Sequence, residues 1–337
     1  MKNDMLKNLG LLAGVMLVMF IAAEVVLRSA HRKELRSIES RHPGRDSLKT
    51  IPSDDPRLIY TISPTARGSN SQGYMDSEHA KQKPAGVYRI VIIGDSVAQG
   101  WEILPAQSFA KVLERELNAA ADSTAAHPPF EIIVLARLGY STSQELVLFE
   151  EEAFEYDPDL ILWSYCLNDP AHPVYHNANG ELGRYYYKPA SYAWYVVAKR
   201  LFHLRQRIRA RNCNGEYHSI LHCVYWDQVE TDIRRIAAVA NERGVPCVFM
   251  IHPVFQEGIA FSQYTLRGLH IRLVDTATEF GLIPLDLLPA FEPYAPKDIK
   301  LHRDTWYDPW HPNPLGHQIL AGYMRDFLQT LMTEGRL

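Results

Sequence analysis

The sequence predicts an α/β domain, a three-layer α/β/α sandwich built on a mostly parallel five-stranded sheet. Short apolar, β-branched runs alternate along the chain with longer amphipathic stretches, which is the order of elements in such sheets. The apolar runs are continuous rather than alternating, which is typical of strands that are buried on both faces. Parallel sheets place their sites at the carboxyl ends of the strands, so we expect functional residues there.

Five apolar runs are the predicted strands, and each is bounded by turn residues. They occupy residues 87–94, 130–136, 160–165, 245–253 and 282–288. Amphipathic periodicity between and after these runs predicts the helices of the two outer layers. The helices are expected at residues 108–120, 142–153, 227–243, 263–280 and 315–333.

A long apolar segment precedes the predicted domain at residues 9–27, and Glu24 is its one charged residue. As a helix it would be about 28 Å long, close to the hydrocarbon thickness of a bilayer. A cleaved signal peptide is disfavoured, because neither Ala23 nor Ala30 has a small residue two positions earlier. We therefore predict an uncleaved transmembrane anchor over residues 1–35, with a buried helix of a soluble core as the remaining alternative.

The charges around the apolar segment do not determine on which side of the membrane the folded domain lies. Basic residues lie both before and after the apolar segment, so the positive-inside rule does not orient it. Cys213 and Cys223 flank a short polar stretch and could form a disulfide, which would need an oxidising compartment; two free thiols are the alternative. We predict a single-pass membrane protein whose folded domain lies on the extracytoplasmic side.

Between the anchor and the domain, residues 36–85 are polar and rich in Pro, Ser, Asp and Arg, and we predict a stalk and an irregular lead-in there. The domain is predicted to span 86–337, with an insertion at about 170–222. Within the insertion, residues 199–211 form a basic amphipathic segment. We expect a solvated helix whose apolar side chains pack inward, and a membrane-surface helix is the alternative. Those apolar side chains are Leu201, Leu204 and Ile208.

The composition excludes several classes of protein. The chain has 337 residues, of which 47% are hydrophobic and 22% charged, and this is globular rather than disordered usage. A net charge of −4 argues against a nucleic-acid-binding protein. Four cysteines are too few for a disulfide-built scaffold. A mean hydropathy of −0.20 excludes a polytopic membrane protein but allows one span.

Polar residues and a glycine follow the first three predicted strands at their carboxyl ends. The first strand ends in Gly94-Asp95-Ser96, where the serine hydroxyl could face a cleft, although this tripeptide is also common turn chemistry. Gly139 follows the second strand, and a glycine N–H can approach a ligand closely. Asn168 follows the third strand, and its amide could either stabilise an oxyanion or cap a helix.

Near the carboxyl end, Asp308 and His311 lie three residues apart on a predicted loop. At this spacing a carboxylate can fix the tautomer of an imidazole and stabilise its protonated form. With this pair, the chain resembles the SGNH hydrolases, also called the GDSL esterase family, which is named for Ser, Gly, Asn and His in four blocks. The resemblance covers about residues 86–333 and implies a flavodoxin-like fold. The blocks are GDSVAQG, LGYSTSQ, LNDP and DPWHPNPLGH, in this order.

The resemblance implies a role for each of these residues. Ser96 would be the nucleophile, His311 its general base, and Asp308 the residue that orients His311. The backbone N–H groups of Ser96 and Gly139 and the side chain of Asn168 would form the oxyanion hole. The implied reaction is hydrolysis of an ester through an acyl-enzyme, with a short O-acyl group on a cell-envelope or secreted glycan as the substrate. The alternatives are an O-acyltransferase that uses the same residues, and an inactive scaffold of a polysaccharide-assembly complex.

Two positions depart from the family pattern. Cys166 stands two residues before Asn168, where the family usually has glycine, and a side chain there could narrow the site. The family often has asparagine a few residues before the second-block glycine, and the stretch here is Ala136-Arg137-Leu138, which contains no asparagine. Arg137 could attract an anionic substrate group, although a solvated or ion-paired residue is favoured. The candidates for the substrate site are Asp95, Cys166, Arg137 and Trp310.

No cofactor and no metal ion is predicted. His172 and His176 lie four residues apart, but the proline between them disfavours the helix that such ligation usually needs. The sequence also lacks a phosphate-binding glycine motif and the G-x-S-x-G elbow of the other large serine-hydrolase fold. The predicted partners are an acylated small molecule or glycan and, through the N-terminal helix, a membrane.

Overall fold

The structure, a computed structural model, describes residues 2–41, 50–124, 128–175, 186–302 and 308–337. Its strands are β1 (Thr50–Pro52), β2 (Tyr60–Ile62), β3 (Tyr88–Gly94), β4 (Phe130–Ala136), β5 (Leu160–Cys166), β6 (Cys247–His252) and β7 (Ile283–Asp286). Its helices are α1 (Lys2–Arg41), α2 (Ser96–Gln99), α3 (Phe109–Thr124), α4 (Thr142–Glu151), α5 (Tyr192–Ala210), α6 (Tyr217–Arg243), α7 (Arg267–Glu279), α8 (Leu288–Phe291), α9 (Pro296–Ile299) and α10 (Pro314–Thr333).

The central sheet has the strand order β4-β3-β5-β6-β7, and every neighbouring pair is parallel. Gly94 at the end of β3 lies opposite Ala136 of β4 and Ser164 of β5. Because crossovers between parallel strands are right-handed, this order puts α3 on one face and α4, α6 and α7 on the other. Helix α10 packs against α3 and completes its layer. The predicted three-layer α/β/α sandwich is therefore confirmed.

The core lies on both faces of this sheet. All seven residues of β5 are buried, and so are six of the seven in β3, as continuous apolar runs predict. Each of the five predicted strands lies within two residues of its observed bounds. The order of the strands reverses between β3 and β5, and in open sheets of this kind the ligand crevice lies at that point, beyond the carboxyl ends of the strands.

Helix α6 begins at Tyr217 instead of residue 227, so its first ten residues were missed in the prediction. Four of the buried residues in this first part follow the i, i+3, i+4, i+7 spacing of a helix: His218, Leu221, His222 and Tyr225. Two of the four are histidines, so a pattern of purely apolar residues does not include them. The buried positions keep the helical spacing, but two of them are occupied by histidine instead of an apolar residue.

Helix α1 is longer than the apolar segment 9–27 that predicted it. Within it, Met5–Glu34 is long and apolar enough to cross a membrane, and its most apolar window is not buried in the structure. A signal sequence would have the same properties. The structure therefore supports one apolar N-terminal helix, while the membrane anchor over residues 1–35 stays a prediction.

The expected lead-in is packed onto the domain. Strands β1 and β2 form a small antiparallel pair, and Leu58, Ile59, Tyr60 and Tyr74 are part of the main hydrophobic core. The hydroxyl of Tyr60 donates to the carbonyl of Leu138, 2.7 Å away. The boundary at residue 86 stays a prediction, but residues 50–85 contribute side chains to the core of the domain that follows them.

The segment predicted to be an insertion contains α5. A disulfide joins Cys213 in this segment to Cys223 just after it, the pair that the sequence left as either a bridge or two free thiols. The expectation that the apolar residues of the basic segment pack inward is wrong. They are about half exposed, because α5 packs on the domain through a different face that includes Tyr195 and Phe202. The exposed residues are Leu201, Leu204 and Ile208.

Candidate active site

Ser96 is the first residue of α2, directly after the end of β3. The side chain of Asp95 caps this helix by accepting the N–H of Val97 at 2.9 Å. At Gly94 a Cβ atom would lie only 2.8 Å from the Cβ atoms of Ala98 and Ser164, so a glycine is required for α2 to approach β5 this closely. The Gly-Asp-Ser sequence therefore holds the serine at the carboxyl edge of the sheet.

A chain of short contacts runs from Ser96 to Asp308. The Oγ of Ser96 lies 2.8 Å from Nε2 of His311, and Nδ1 of His311 lies 2.6 Å from Oδ1 of Asp308. All three residues are buried. With Nδ1 donating to the carboxylate, Nε2 is left to accept the serine proton. The ring of Trp101 packs on the imidazole of His311 at 4.6 Å between centroids.

The carboxylate of Asp308 is held at both oxygens. Oδ1 also faces the backbone N–H groups of Trp310 and His311, at 3.4 and 3.3 Å, and Oδ2 lies 2.7 Å from Nδ1 of His302. Burial by itself raises the pKa of Asp308, but the hydrogen bonds from His311 and His302 outweigh it and lower this pKa to about 2. Asp308 is therefore ionised at neutral pH.

Backbone hydrogen bonds fix the loop that carries Asp308 and His311. The N–H of Phe255, beyond the end of β6, donates to the carbonyl of Pro309 at 2.7 Å. The N–H of Leu301 donates to the carbonyl of His311 at 2.9 Å. These bonds tie the loop to the same edge of the sheet at which Ser96 lies.

The loops of Gly139 and Asn168 are tied to α2 and to each other. Gln99 of α2 accepts the N–H of Leu138 at 2.7 Å, and the N–H of Thr142 donates to the carbonyl of Asp169 at 3.0 Å. Gly139 has a φ of +73°, which a residue with a side chain rarely adopts. Asn168 is buried, and its Oδ1 has no hydrogen-bond partner in the part of the chain that the structure describes. The roles predicted for both residues stay predictions.

Asp95, Cys166 and Asp169 lie together in the buried region next to Ser96. The thiol of Cys166 donates to Oδ1 of Asp95 at 3.3 Å, and Oδ2 of Asp169 accepts the N–H of Cys166 at 2.5 Å. Burial, and then the charges of Asp95 and Asp169, raise the pKa of the Cys166 thiol well above its usual value. A neutral thiol is a poor nucleophile, so this geometry favours Ser96 over Cys166.

These three residues also place a possible metal ligand atom each within 4.8 Å of one another. Burial, and then the charge of Glu145, raise the pKa of Asp169 well above its usual value. Each ligand atom would have to lose a proton or an existing hydrogen bond before it could bind a cation. Of the histidines weighed as metal ligands, His172 stacks on Tyr175, and His176 lies outside the described residues.

The two remaining candidates for the substrate site have partners within the protein. Arg137 is buried, and its guanidinium lies 4.3 Å from the ring centre of Tyr74 and 3.8 Å from Glu152. Its charge is thus engaged inside the fold, in line with the favoured ion-paired reading. Trp310 is partly buried, and its indole N–H donates to Nε2 of His218 at 3.2 Å.

Sequence reasoning missed three residues of this site: Trp101, Glu102 and His302. Nε2 of His302 lies 3.2 Å from a carboxylate oxygen of Glu102, and the rings of His302 and Trp101 are 5.8 Å apart. Trp101 and Glu102 directly follow the first block, so their position in the chain could have suggested them. Nothing in the sequence distinguishes His302 among 14 histidines, because only the fold brings it to Asp308.

Comparison with known proteins gives one match to a family model. Residues 92–319 match the GDSL-like Lipase/Acylhydrolase family, which is more than half of the chain. No curated protein matches the chain significantly.

Three solved structures that are similar to the chain have low sequence identity to it. The acetyl xylan esterase AlAXEase is 14% identical, with 70% of this chain and 97% of that chain covered and a TM-score of 0.43. A catalytic mutant of Axe2, an acetylxylan esterase from Geobacillus stearothermophilus, is 15% identical, with 73% and 94% covered and a TM-score of 0.45. TesA is 11% identical, with 72% and 99% covered and a TM-score of 0.44. These scores are too low to support an inference about substrate.

Proposed function

Because the chain belongs to the GDSL-like lipase/acylhydrolase family and is an ester-hydrolysing enzyme, we propose that Ser96 is its nucleophile and that its substrate is a short O-acyl ester on a glycan. The observation that carries this proposal is the pair of contacts made by His311, 2.8 Å to Ser96 and 2.6 Å to Asp308. A serine, an imidazole and a carboxylate in this order form the relay that serine hydrolases use.

In the first half of the reaction, the Oγ of Ser96 attacks the acyl carbon while Nε2 of His311 takes the serine proton. Asp308 remains ionised and stabilises the imidazolium that forms. The negative charge on the carbonyl oxygen is stabilised by the N–H groups of Ser96 and Gly139 and by the amide of Asn168. When the ester bond breaks, the proton on His311 passes to the alcohol oxygen of the leaving glycan.

In the second half, a water molecule attacks the acyl-enzyme. Its proton goes to Nε2 of His311, and its oxygen bonds to the acyl carbon. The tetrahedral intermediate collapses, the carboxylic acid leaves, and the proton on His311 returns to Oγ of Ser96. If a sugar hydroxyl attacks in place of water, the same residues perform acyl transfer.

Aromatic side chains support a sugar as the group that carries the ester. Trp101 lies just after the end of α2, the helix that Ser96 begins, and Trp310 directly precedes His311. Both tryptophans are only partly buried. Indole rings provide large, flat contact surfaces with one polar edge, which suits the apolar faces of sugar rings. The ring of Trp101 also packs at 4.6 Å from the ring of His311, so its indole lies beside the catalytic imidazole.

The proposed setting is a single-pass membrane protein, with an anchor over residues 1–35, a connecting segment over 36–85, and the enzyme domain over 86–337. Helix α1 supports the anchor by its length and apolar composition. The disulfide between Cys213 and Cys223 supports an extracytoplasmic domain, because such bonds persist in oxidising compartments.

The proposal is tested with the full chain purified in detergent. We expect it to hydrolyse p-nitrophenyl acetate and to release acetate from acetylated xylo-oligosaccharides, and we expect Ser96→Ala to lose both activities. Deacetylated oligosaccharide added as acceptor, followed by mass spectrometry, separates hydrolysis from transfer. If the wild-type chain hydrolyses the synthetic ester but no acetylated glycan, the substrate class is wrong. If it hydrolyses neither, the inactive scaffold is favoured.

A further inference from the structure

Helix α5 carries a stripe of five exposed apolar side chains, which we call the apolar stripe. Its members are Trp194, Val197, Leu201, Leu204 and Ile208. Spacings of three and four residues place all five on one side of the helix. Their exposed fractions run from 46% to 62%, so this side is open along the whole helix. A contiguous apolar surface of this kind on a folded domain indicates an interaction site.

A different face of α5 packs on the domain. The apolar stripe is therefore a second apolar face, separate from the one that contributes to the packing of the domain. The ring of Phe202 lies 5.0 Å from that of Tyr175 and 6.3 Å from that of Tyr225. The ring of Tyr195 lies 5.5 Å from that of Tyr187. The helix is thus apolar on two sides, and an outward side of a solvated helix would be polar.

The charges on α5 are all of one sign. The helix contains five basic residues and no Asp or Glu. The guanidinium of Arg209 lies 3.6 Å from the carboxylate of Asp227, and both side chains are exposed. A helix with an apolar stripe and a basic remainder is typical of segments that lie in the plane of an anionic bilayer surface. The basic residues are Lys199, Arg200, Arg205, Arg207 and Arg209.

The start of α5 is bonded to the end of the apolar segment of α1. The carboxylate of Glu24 accepts the hydroxyl of Ser191 and the N–H of Ala193, both at 2.9 Å. Arg28 donates to the carbonyl of Ala190 at 2.6 Å, and its guanidinium lies 5.3 Å from the ring centre of Tyr192. These contacts place the first turn of α5 at the level where a span over residues 9–27 would leave the hydrocarbon.

The aromatic residues where α1 meets the start of α5 are also of the types expected at the boundary of the hydrocarbon. Phe20 of α1 and Trp194 of α5 line one cavity of about 390 Å³, together with Tyr175, Tyr187 and Tyr195. Tryptophan and tyrosine concentrate at the boundary between hydrocarbon and headgroups, where an apolar ring and a polar edge are both accommodated. The junction therefore has the composition of an interfacial belt, and the apolar stripe continues from it along α5.

We propose that α5 lies in the interfacial plane of the bilayer that α1 crosses, with the apolar stripe in the acyl-chain boundary and the basic residues among anionic headgroups. This inference rests on the membrane anchor of the proposed function, but not on its chemistry. It gives the enzyme domain two attachments, one through α1 and one through α5. The domain would then be held in one orientation on the membrane instead of moving freely on a stalk.

The experiment uses the full chain reconstituted into vesicles of phosphatidylcholine with about one third anionic phosphatidylglycerol. An environment-sensitive fluorophore is attached at Leu204→Cys in the apolar stripe or, as the matched control, at Ile271→Cys on α7, which is 60% exposed. The native cysteines do not compete, because they are either buried or bonded to each other. Lipids that carry a nitroxide on the acyl chain quench the fluorophore when it lies at the hydrocarbon boundary.

We expect a blue-shifted emission at position 204 and nitroxide quenching that is at least about threefold stronger than at position 271. Replacing Arg200, Arg205 and Arg207 by Gln should weaken the quenching at position 204 in anionic vesicles. Equal, water-like emission at both positions would overturn the proposal. A shielded probe at position 204 that lipid nitroxides do not quench, but that shows energy transfer between copies, would assign the stripe to a second copy of the chain and equally overturn it.

Two measurements on the same samples keep this inference separate from the proposed chemistry. Hydrolysis of p-nitrophenyl acetate by each labelled variant tests the esterase and reports an intact fold. Flotation with the vesicles tests the anchor. Strong quenching without hydrolysis would leave the membrane contact in place while the esterase fails. A chain that does not float would contradict both the anchor and the contact of α5.

Discussion

Nδ1 of His302 lies 2.7 Å from Oδ2 of Asp308, and Nδ1 of His311 lies 2.6 Å from Oδ1 of the same carboxylate. The carboxylate is thus held between two imidazoles. The second ring nitrogen of His302 lies 3.2 Å from Glu102. This arrangement prevents the carboxylate from rotating away from His311, so we regard His302 as a positioning residue that acts through Asp308.

The first prediction concerns His302. His302→Ala should lower kcat about tenfold and leave KM unchanged, because one hydrogen bond to a charged group is lost without any contact to substrate. His302→Asn should keep most of the activity, since its amide can donate from nearly the same position as Nδ1. Steady-state kinetics with p-nitrophenyl acetate measures both. Equal activity of the alanine variant and the wild type would show that Asp308 needs no second donor.

The second prediction concerns the amide of Asn168. Asn168→Ala should lower kcat about 10²- to 10³-fold with little change in KM, as for other oxyanion donors. Asn118→Ala is the matched control, because Asn118 bonds the backbone of Phe130 at the opposite end of β4. That variant should lose stability and keep its kcat. A loss smaller than about tenfold in Asn168→Ala would remove this residue from the oxyanion hole.

The third prediction concerns the disulfide. Cys213 and Cys223 are ten residues apart, and closing a loop of this size stabilises a fold by about 3 kcal/mol in the chain-entropy account. A reductant should therefore lower the thermal midpoint of the wild-type chain. A double variant, Cys213→Ser with Cys223→Ser, should start from the lower midpoint and not respond to reductant. Thiol titration of the unfolded, unreduced chain should find two free thiols, and four would contradict the bridge.

The fourth prediction concerns acid stability. Burial lowers the pKa of His222, His252 and His317 to about 3, whereas the unfolded chain titrates near the usual 6.5. Between these values the unfolded state binds the protons and the native state does not, so these three histidines make the native state less stable as pH decreases below 6.5. Each histidine contributes a slope of about 1.4 kcal/mol per pH unit.

This slope is measured by denaturant unfolding at a series of pH values from 7 to 5. His317 accepts the N–H of Phe109 through Nδ1 at 3.1 Å, and the amide oxygen of His317→Asn can accept the same bond without titrating. This variant should have a slope that is smaller than that of the wild-type chain by about 1.4 kcal/mol per pH unit. An equal slope in His317→Asn and the wild-type chain would contradict a lowered pKa of His317 in the native state.

The sheet and the four motifs could be predicted from the sequence because local signals determine them. The strands are continuous apolar runs that end in turn residues, and Gly94-Asp95-Ser96 and Asp308 with His311 are contiguous or nearly so. The small strands β1 and β2 have three residues each, which is too short for a period of two to be recognised.

Contacts between distant segments could not be predicted. His302 reaches Asp308 only because the loop folds back, and Glu24 meets Ser191 across more than 160 residues of sequence. The periodicity of α5 identified an apolar stripe at Leu201, Leu204 and Ile208, but it did not show that another face of the helix packs on the domain. The periodicity of a sequence shows which residues share a face of a helix, whereas the segment that packs against this face depends on the fold.

The most direct test of the central claim is the site of covalent modification by a fluorophosphonate, which reacts with an activated serine hydroxyl. The full chain is treated, digested and mapped by mass spectrometry, and hydrolysis of p-nitrophenyl acetate is followed in the same sample. We expect one adduct, on Ser96, that forms in step with the loss of activity and is absent from Ser96→Ala. An adduct on another residue, or hydrolysis that persists in Ser96→Ala, would contradict the assignment of Ser96 as the nucleophile.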